Sequence, residues 1–444
     1  MLGLGGSLAL TGRAAMIDIG QRVSVGSVPA RSPIVAWGDS MTRGYVAPAA
    51  TLFDPPRAIV NRGVGHQSST AIAARQGGIA ITVTLAGNTI PMASRLTWDF
   101  SGGSDGWITT DATSAINPSS VSMIATGPDT LRITQSGGVA NASARRLLGP
   151  ATAFGAVADS IVRISATVSR FPNQVQEIGL VNTGNATGAG GAWVTTNRSF
   201  ANGVRTTLAN ALATTPANYL ALAAWLSGSE AQELLLTQPV VEIATPVAII
   251  EKSINVLFDS GNFTGTISGR LAGIHGVIST DSAGNWSFLR DDFGPAISCP
   301  PGSVFVPDEA NSLRRHTAWI WSGRNNFVNP ASVKTDIAAM VAHLGHSRYL
   351  VGSICNGNYE SEFAGGANYA TLMQLNADLA SLYGSRYVDI RSALIAAADP
   401  VADAIWITRD TVPASLRTDN IHLNPAGNAI VAREMVAATL ARGW

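Results

Sequence analysis

A serine at position 40 lies within the stretch SPIVAWGDSMTRGY (32–45), where an apolar run, IVAW, stops at Gly38. Gly, Asp and Ser all favour turns, so the bland reading is a turn after a strand. The sharper reading is a nucleophile held at the mouth of a sheet. A serine attacks a carbonyl poorly until a base takes its proton, and that base needs a third group to fix its tautomer. The stretch TDNIHLNPAG (418–427) offers both, with Asp419 three residues before His422. Alone, that spacing also suits a capped loop with an exposed histidine. Together the two stretches describe acyl transfer. No other histidine of the chain has a carboxylate so placed near an expected strand end.

Acyl transfer also needs donors where the oxyanion forms. WSGRNNFVNP (321–330) follows an apolar run and presents Asn325. NRGVGHQSS (61–69) follows another, with a glycine-rich backbone able to turn N–H groups inward.

The elements that must hold these residues read as an α/β domain in two pieces. In residues 33–78, IVAW (34–37) and RAIVNRGV (57–64) are strands. SSTAIAARQGG (68–78) is a helix with a serine N-cap and a glycine stop. From 313 onward the strands are 316–323, 348–354 and 386–390, and the helices are 332–345, 369–384 and 427–443. Strands alternating with helices of this length imply a parallel sheet, and ligands of such sheets sit beyond the carboxyl ends of the strands. Both chemical motifs fall at such ends.

Between the two pieces lies an insert of about 230 residues with alternating apolar positions and turn signals every ten residues or so, an all-β texture. Residues 206–226 alone carry helix-like spacing. The insert reads as nested: a small β module of 79–95 and 246–308 is interrupted by a larger unit, 97–243. Residues 1–32 form an N-terminal segment. Its first positive residue, Arg13, follows the apolar stretch, so no secretory leader is expected.

Composition limits the function classes. Charged residues are 13% of the chain and the formal net charge is zero, so nothing marks a nucleic-acid partner. No run is long enough to span a membrane. The two cysteines, Cys299 and Cys355, fall in different units and are expected as free thiols. The six histidines include no metal-binding spacing, and neither a metal nor another cofactor is expected.

As an ordered set, Gly38-Asp39-Ser40, a glycine after the second strand, Gly323-Arg324-Asn325 and Asp419-Asn420-Ile421-His422 resemble the SGNH (GDSL-type) hydrolases. The resemblance covers roughly 33–78 and 313–444. It implies a flavodoxin-like three-layer α/β/α domain, here split by the β insert. It also implies a serine esterase with Ser40 as nucleophile, His422 as base and then acid, and Asp419 orienting His422. The oxyanion hole would be the Ser40 N–H, the Asn325 amide and an N–H of the second block. That second-block donor is Gly65 or His66, because His66 stands where the family has a glycine. A non-glycine residue there would be strained at positive φ, and His66 would alternatively narrow the acyl pocket. The chain also has GDSM where the family has GDSL or GDSI, a swap that conserves volume.

The larger unit of the insert, opening TWDFSGGSDGW and closing ELLLTQPVVEIAT, resembles jelly-roll carbohydrate-binding modules. Trp107 and Trp193 are its candidate sugar platforms. With that module, the expected substrate is an acetylated polysaccharide. The start MLGLGGSLALTGRAA and the segment 265–288 are similar to phage tail proteins that carry esterase domains. A virion, extracellular setting follows, for which a homotrimer would be suitable, with a secreted bacterial esterase as the alternative. A catalytically inert adhesion protein that binds glycan is the rival from another class.

Overall fold

The structure, a computed structural model, describes residues 32–444 apart from 111–114, 128, 138–141, 172–175, 184–191, 194–198, 201, 213–214, 217–218, 227–230 and 258–264. The N-terminal segment before Ser32 lies outside the described residues, as does any reading of a leader there.

Five parallel strands form the sheet that carries the chemical motifs: β1 (Ile34–Gly38), β2 (Ile59–Gly63), β3 (Thr317–Trp321), β4 (Tyr349–Gly352) and β5 (Tyr387–Val388). Their order is β2-β1-β3-β4-β5. β1 and β3 are buried along their whole length, which is why they read as unbroken apolar runs. Alternate residues of β1 serve two cores. Ile34 and Ala36 pack with Tyr45, Trp319 and Met435, whereas Val35 and Trp37 pack with Ile72, Ile320 and Ile337. The first core is closed by α1 (Thr42–Thr51) and α5 (Pro425–Leu440). The second is closed by α2 (Ser69–Gln76), α3 (Pro330–Leu344) and α4 (Tyr369–Tyr383). Helices therefore cover both faces of the sheet.

Sequence spacing does not reveal α1. It contains Gly44 and Pro48, both poor helix formers. Packing overrides that weakness: a Cβ at Gly44 would lie 2.5 Å from the Asn428 side chain on α5, so the two helices meet closely there.

After α2 the chain leaves this domain. Strand Ile81–Leu85 joins five strands between Val247 and Pro307 in a closed six-stranded barrel. Interposed is a sandwich of two six-stranded sheets around one apolar core. Its first strand, Ala93–Thr97, pairs with Val240–Ala244. The sandwich thus begins at Ala93, which moves the expected boundary between 95 and 97 by a few residues. The helix-like spacing over 206–226 is overturned. Those residues form strands Arg205–Ala211 and Tyr219–Leu226. Pro216 lies between them and would break a helix, and the second strand is so deeply buried that it shows no alternation.

Cys299 and Cys355 are free and buried. Burial pushes the Cys355 thiol up to about 12, despite the nearby Arg391 and Arg324 charges, so it stays protonated. Among the described residues no helix is long and apolar enough to cross a membrane.

Candidate active site

β1 delivers its serine to the carboxyl edge of the sheet because the chain turns sharply there. Gly38 permits the turn: a Cβ would fall 2.0 Å from Thr42 Oγ1 and 2.3 Å from the Trp321 carbonyl. Asp39 turns inward and Ser40 is left half-buried at the rim.

The other motif arrives on the loop before α5. Asp419 Oδ1 accepts the backbone N–H groups of Ile421 and His422, each at 2.7 Å. That fixes a tight turn and leaves Oδ2 for the ring, and His422 Nδ1 donates to it at 2.7 Å. His422 Nε2 then lies 2.8 Å from Ser40 Oγ. A hydroxyl, an imidazole and a carboxylate stand in a line of two short hydrogen bonds. Burial raises the Asp419 pKa, but the His422 and Ile421 N–H groups and the His422 ring outweigh it and hold the carboxyl at about 2. Asp419 is therefore ionised throughout the neutral range.

Asn325 sits on the loop after β3, which turns at Gly323 with φ of +114°. Only glycine fits that turn, since a Cβ would also approach Val333 to 2.7 Å. The structure brings Asn325 to the loop after β2, where its Nδ2 donates to the Gln67 carbonyl at 2.9 Å. An amide nitrogen carries two hydrogens, so one remains for a ligand. Asn325→Ala is expected to slow turnover about 10²–10³-fold, the usual effect of losing one oxyanion donor. The melting temperature should hardly move, because the side chain is exposed. A collapse in melting temperature would make Asn325 a structural residue.

The left-handed residue of the second block is His66, at φ of +64°. Gly65, the residue best able to take that conformation, is buried beside it at negative or extended φ. The strain expected of a non-glycine residue in this block therefore falls on His66. His66 carries a strain of about 1–2 kcal/mol for a non-glycine side chain. Its ring is exposed and its N–H is retained, so the loop keeps both candidate donors.

Residues that sequence reasoning passed over hold this loop. Gln67 is fully buried, donates to the Val256 carbonyl at 2.6 Å and accepts from Arg75 Nε. Asn326 ties the loop after β3 to the start of α2, accepting the Ser69 N–H and donating to Ser69 Oγ. Arg324 pairs with Glu362, both buried. The paired Arg324-Asn325-Asn326 polar run at a strand end was the available signal for the last two. Nothing local marks Gln67.

Asp39 lies behind Ser40. Its Oδ1 accepts the Met41 N–H at 2.9 Å, while Oδ2 is buried with no hydrogen-bond partner. Burial pushes its carboxyl up to about 6, against the Met41 bond and the Arg324 and His422 charges. The folded state thus binds this proton more tightly than the unfolded chain, whose carboxylates titrate near 4. Stability contributed here falls as pH rises from about 4 to 6 and then stays low. Asp39→Asn keeps an oxygen for Met41 and removes the charge. Relative to wild type, it should gain about 1–3 kcal/mol more at pH 8 than at pH 4.5, read by urea denaturation. Equal differences at the two pH values would mean the carboxylate is not penalised by burial.

The expected sugar platforms fare differently. Trp107 is 3% exposed and packs edge-on against Trp98 and Phe100, with centroids 5.9 and 6.1 Å away. It belongs to the core of the sandwich and presents no platform, a correction that follows from the alternation of its strand. The Trp193 side chain lies outside the described residues. Among the described residues no group of three or more His, Cys, Asp or Glu side chains is placed to hold a metal ion.

No family model and no curated protein sequence matches the chain. Solved structures similar to about a third of the chain include carbohydrate-binding modules. The CBM22-1 xylan-binding domain from Paenibacillus barcinonensis Xyn10C is 15% identical, with a TM-score of 0.24 over 34% of this chain and 95% of that one. A CBM4 module is 8% identical, with a TM-score of 0.24 over 36% and 99%. The second N-terminal cellulose-binding domain from Cellulomonas fimi β-1,4-glucanase C is 16% identical, with a TM-score of 0.21 over 36% and 94%.

Proposed function

We propose that the chain is a serine esterase of the SGNH type that removes O-acetyl groups from a polysaccharide. One observation carries the reading: the aligned Ser40–His422–Asp419 hydrogen bonds at the carboxyl edge of a doubly wound sheet. In the reaction, Ser40 Oγ attacks the acetyl carbonyl carbon and its proton passes to His422 Nε2. The bond to the sugar oxygen breaks as His422 returns that proton to the leaving oxygen, and an acetyl-serine remains. Water then attacks the acetyl carbon, His422 takes the water proton and returns it to Ser40, and acetate departs. Asn325, with an N–H of Gly65 or His66 and that of Ser40, would hold the oxyanion in both halves. The split domain and its F…GW insert support the polymer as substrate, and an extracellular setting, virion or secreted, suits such a substrate.

A second reading, a glycan-binding adhesion protein with an inert site, is favoured by His66 in the left-handed conformation where a glycine is expected. The two separate on one experiment. Acetate release from acetylated xylan and acetylated polygalacturonate, with hydrolysis of p-nitrophenyl acetate alongside, is compared between wild type and Ser40→Ala. Hydrolysis that depends on Ser40 supports the esterase. Glycan binding with equal, background rates supports the adhesion reading.

A further inference from the structure

A cleft beside the catalytic edge has a volume of about 710 Å³, within the range of small-ligand sites. One wall is the sheet edge, with Arg43, Arg62, Gly63 and Val64. The opposite wall belongs to the β insert, through Val256–Leu257 and Gly265–Ser268. Ser40 lies three residues before Arg43, and the Gly65 loop continues directly from Val64. Ser40, Asn325 and His422 do not line the cleft, so it would take a neighbouring sugar of the polymer and not the acetylated group itself.

Five charged side chains line it: Arg43, Arg62, Arg75, Asp308 and Glu309. Four are already paired. Arg62 and Arg75 both meet Glu309, at 2.5 and 3.3 Å, and Asp308 meets His275 at 2.8 Å. Arg43 has no carboxylate within ion-pairing distance among the described residues, and it is exposed. It is nonetheless oriented. Its Nε donates to the Gly63 carbonyl at 3.2 Å, which leaves the two terminal amino groups for a ligand. Those groups lie 3.9 Å from where a Cβ on Gly65 would stand, so the fork sits over the loop expected to hold the oxyanion.

We infer that this cleft binds a carboxylate-bearing sugar, a uronic acid or similar, with Arg43 as the ligand that selects an acidic polysaccharide. The inference deepens the esterase reading and rests on it for the bond that is cleaved. A guanidinium fork matches a carboxylate in a bidentate pair, and one cation with no carboxylate partner among the described residues matches one monoanion. A neutral glycan would leave that charge unanswered.

The test is calorimetric binding of trigalacturonate and of the same trimer with its carboxyls reduced to alcohols. Wild type should bind the acidic trimer at least about tenfold more tightly, with the preference shrinking as salt is added. Arg43→Gln should bring the two trimers within about twofold, and Arg43→Lys, which keeps the charge without the fork, should fall between. Equal binding of the trimers by wild type, binding of neither, or an acid preference that survives Arg43→Gln would each overturn the inference. Hydrolysis of p-nitrophenyl acetate by the same preparation reports separately on the reaction. Ser40-dependent hydrolysis without acid-selective binding sinks the acidic substrate alone. Acid-selective binding without hydrolysis sinks the esterase alone.

Discussion

Ser40→Ala is expected to lower kcat on p-nitrophenyl acetate by at least about 10³-fold, with folding intact. The size follows from what the oxygen does. In the proposed reaction it supplies the electron pair that forms the new bond, and among the described residues no other hydroxyl is bonded to His422 Nε2. Water attacking directly would still find Asn325 and the loop N–H groups, so a residue of activity above the uncatalysed rate should survive. Folding should be intact because Ser40 is half-buried at a rim and its Oγ bonds to the half-exposed His422 ring, not to the core. Two measurements decide it: pre-steady-state release of nitrophenol with substrate in excess, and a thermal melt of the variant. A wild-type burst of about one nitrophenol per chain, lost in the variant, would mark the acetyl-serine. Equal rates in the two proteins would remove Ser40 from the chemistry, however good its geometry.

Much of this site is legible because its parts are local. Asp419 and His422 are three residues apart, so one turn holds them whatever the rest of the chain does. Gly38 and Gly323 mark the sharp exits of two buried strands, and the strands themselves read as IVAW and AWIW because both faces are covered. What is hidden is non-local. Gln67 holds Asn325 from one side and the Val256 carbonyl from the other, a contact 189 residues away in sequence. The role of the barrel as a wall of the cleft depends on that kind of pairing, which no spacing reveals. α1 is hidden for another reason: Gly44 and Pro48 argue against a helix, and only its packing on α5 reverses them. The misread 206–226 shows the same competition, since Ala and Leu favour a helix locally while the sandwich core demands strands.

Asp419→Asn should cost about 10⁴-fold in kcat while leaving the fold and the loop in place. The two carboxylate oxygens have different duties, and the amide can serve only one of them. If its oxygen faces the Ile421 and His422 N–H groups, the turn survives, but the NH₂ now faces His422 Nδ1. An NH₂ donates, so the ring must present Nδ1 as acceptor and carry its proton on Nε2. That nitrogen then cannot take the Ser40 proton across the 2.8 Å bond. If the amide is flipped, the ring keeps its tautomer but the NH₂ meets two backbone donors and the turn opens. The first arrangement is favoured, since two backbone bonds are kept. Asp419→Glu, which retains both oxygens but lengthens the arm, should lose less than the amide if tautomer is the cause. The pH profile separates tautomer from mere placement: with its carboxyl held at about 2, Asp419 contributes no acid limb between pH 4 and 8 in wild type. The amide variant should be slow across that whole range, with activity rising only where hydroxide itself replaces the base. An Asp419→Asn protein that keeps wild-type rates near neutral pH would show that His422 is oriented by the loop alone, and that the carboxylate is a structural cap.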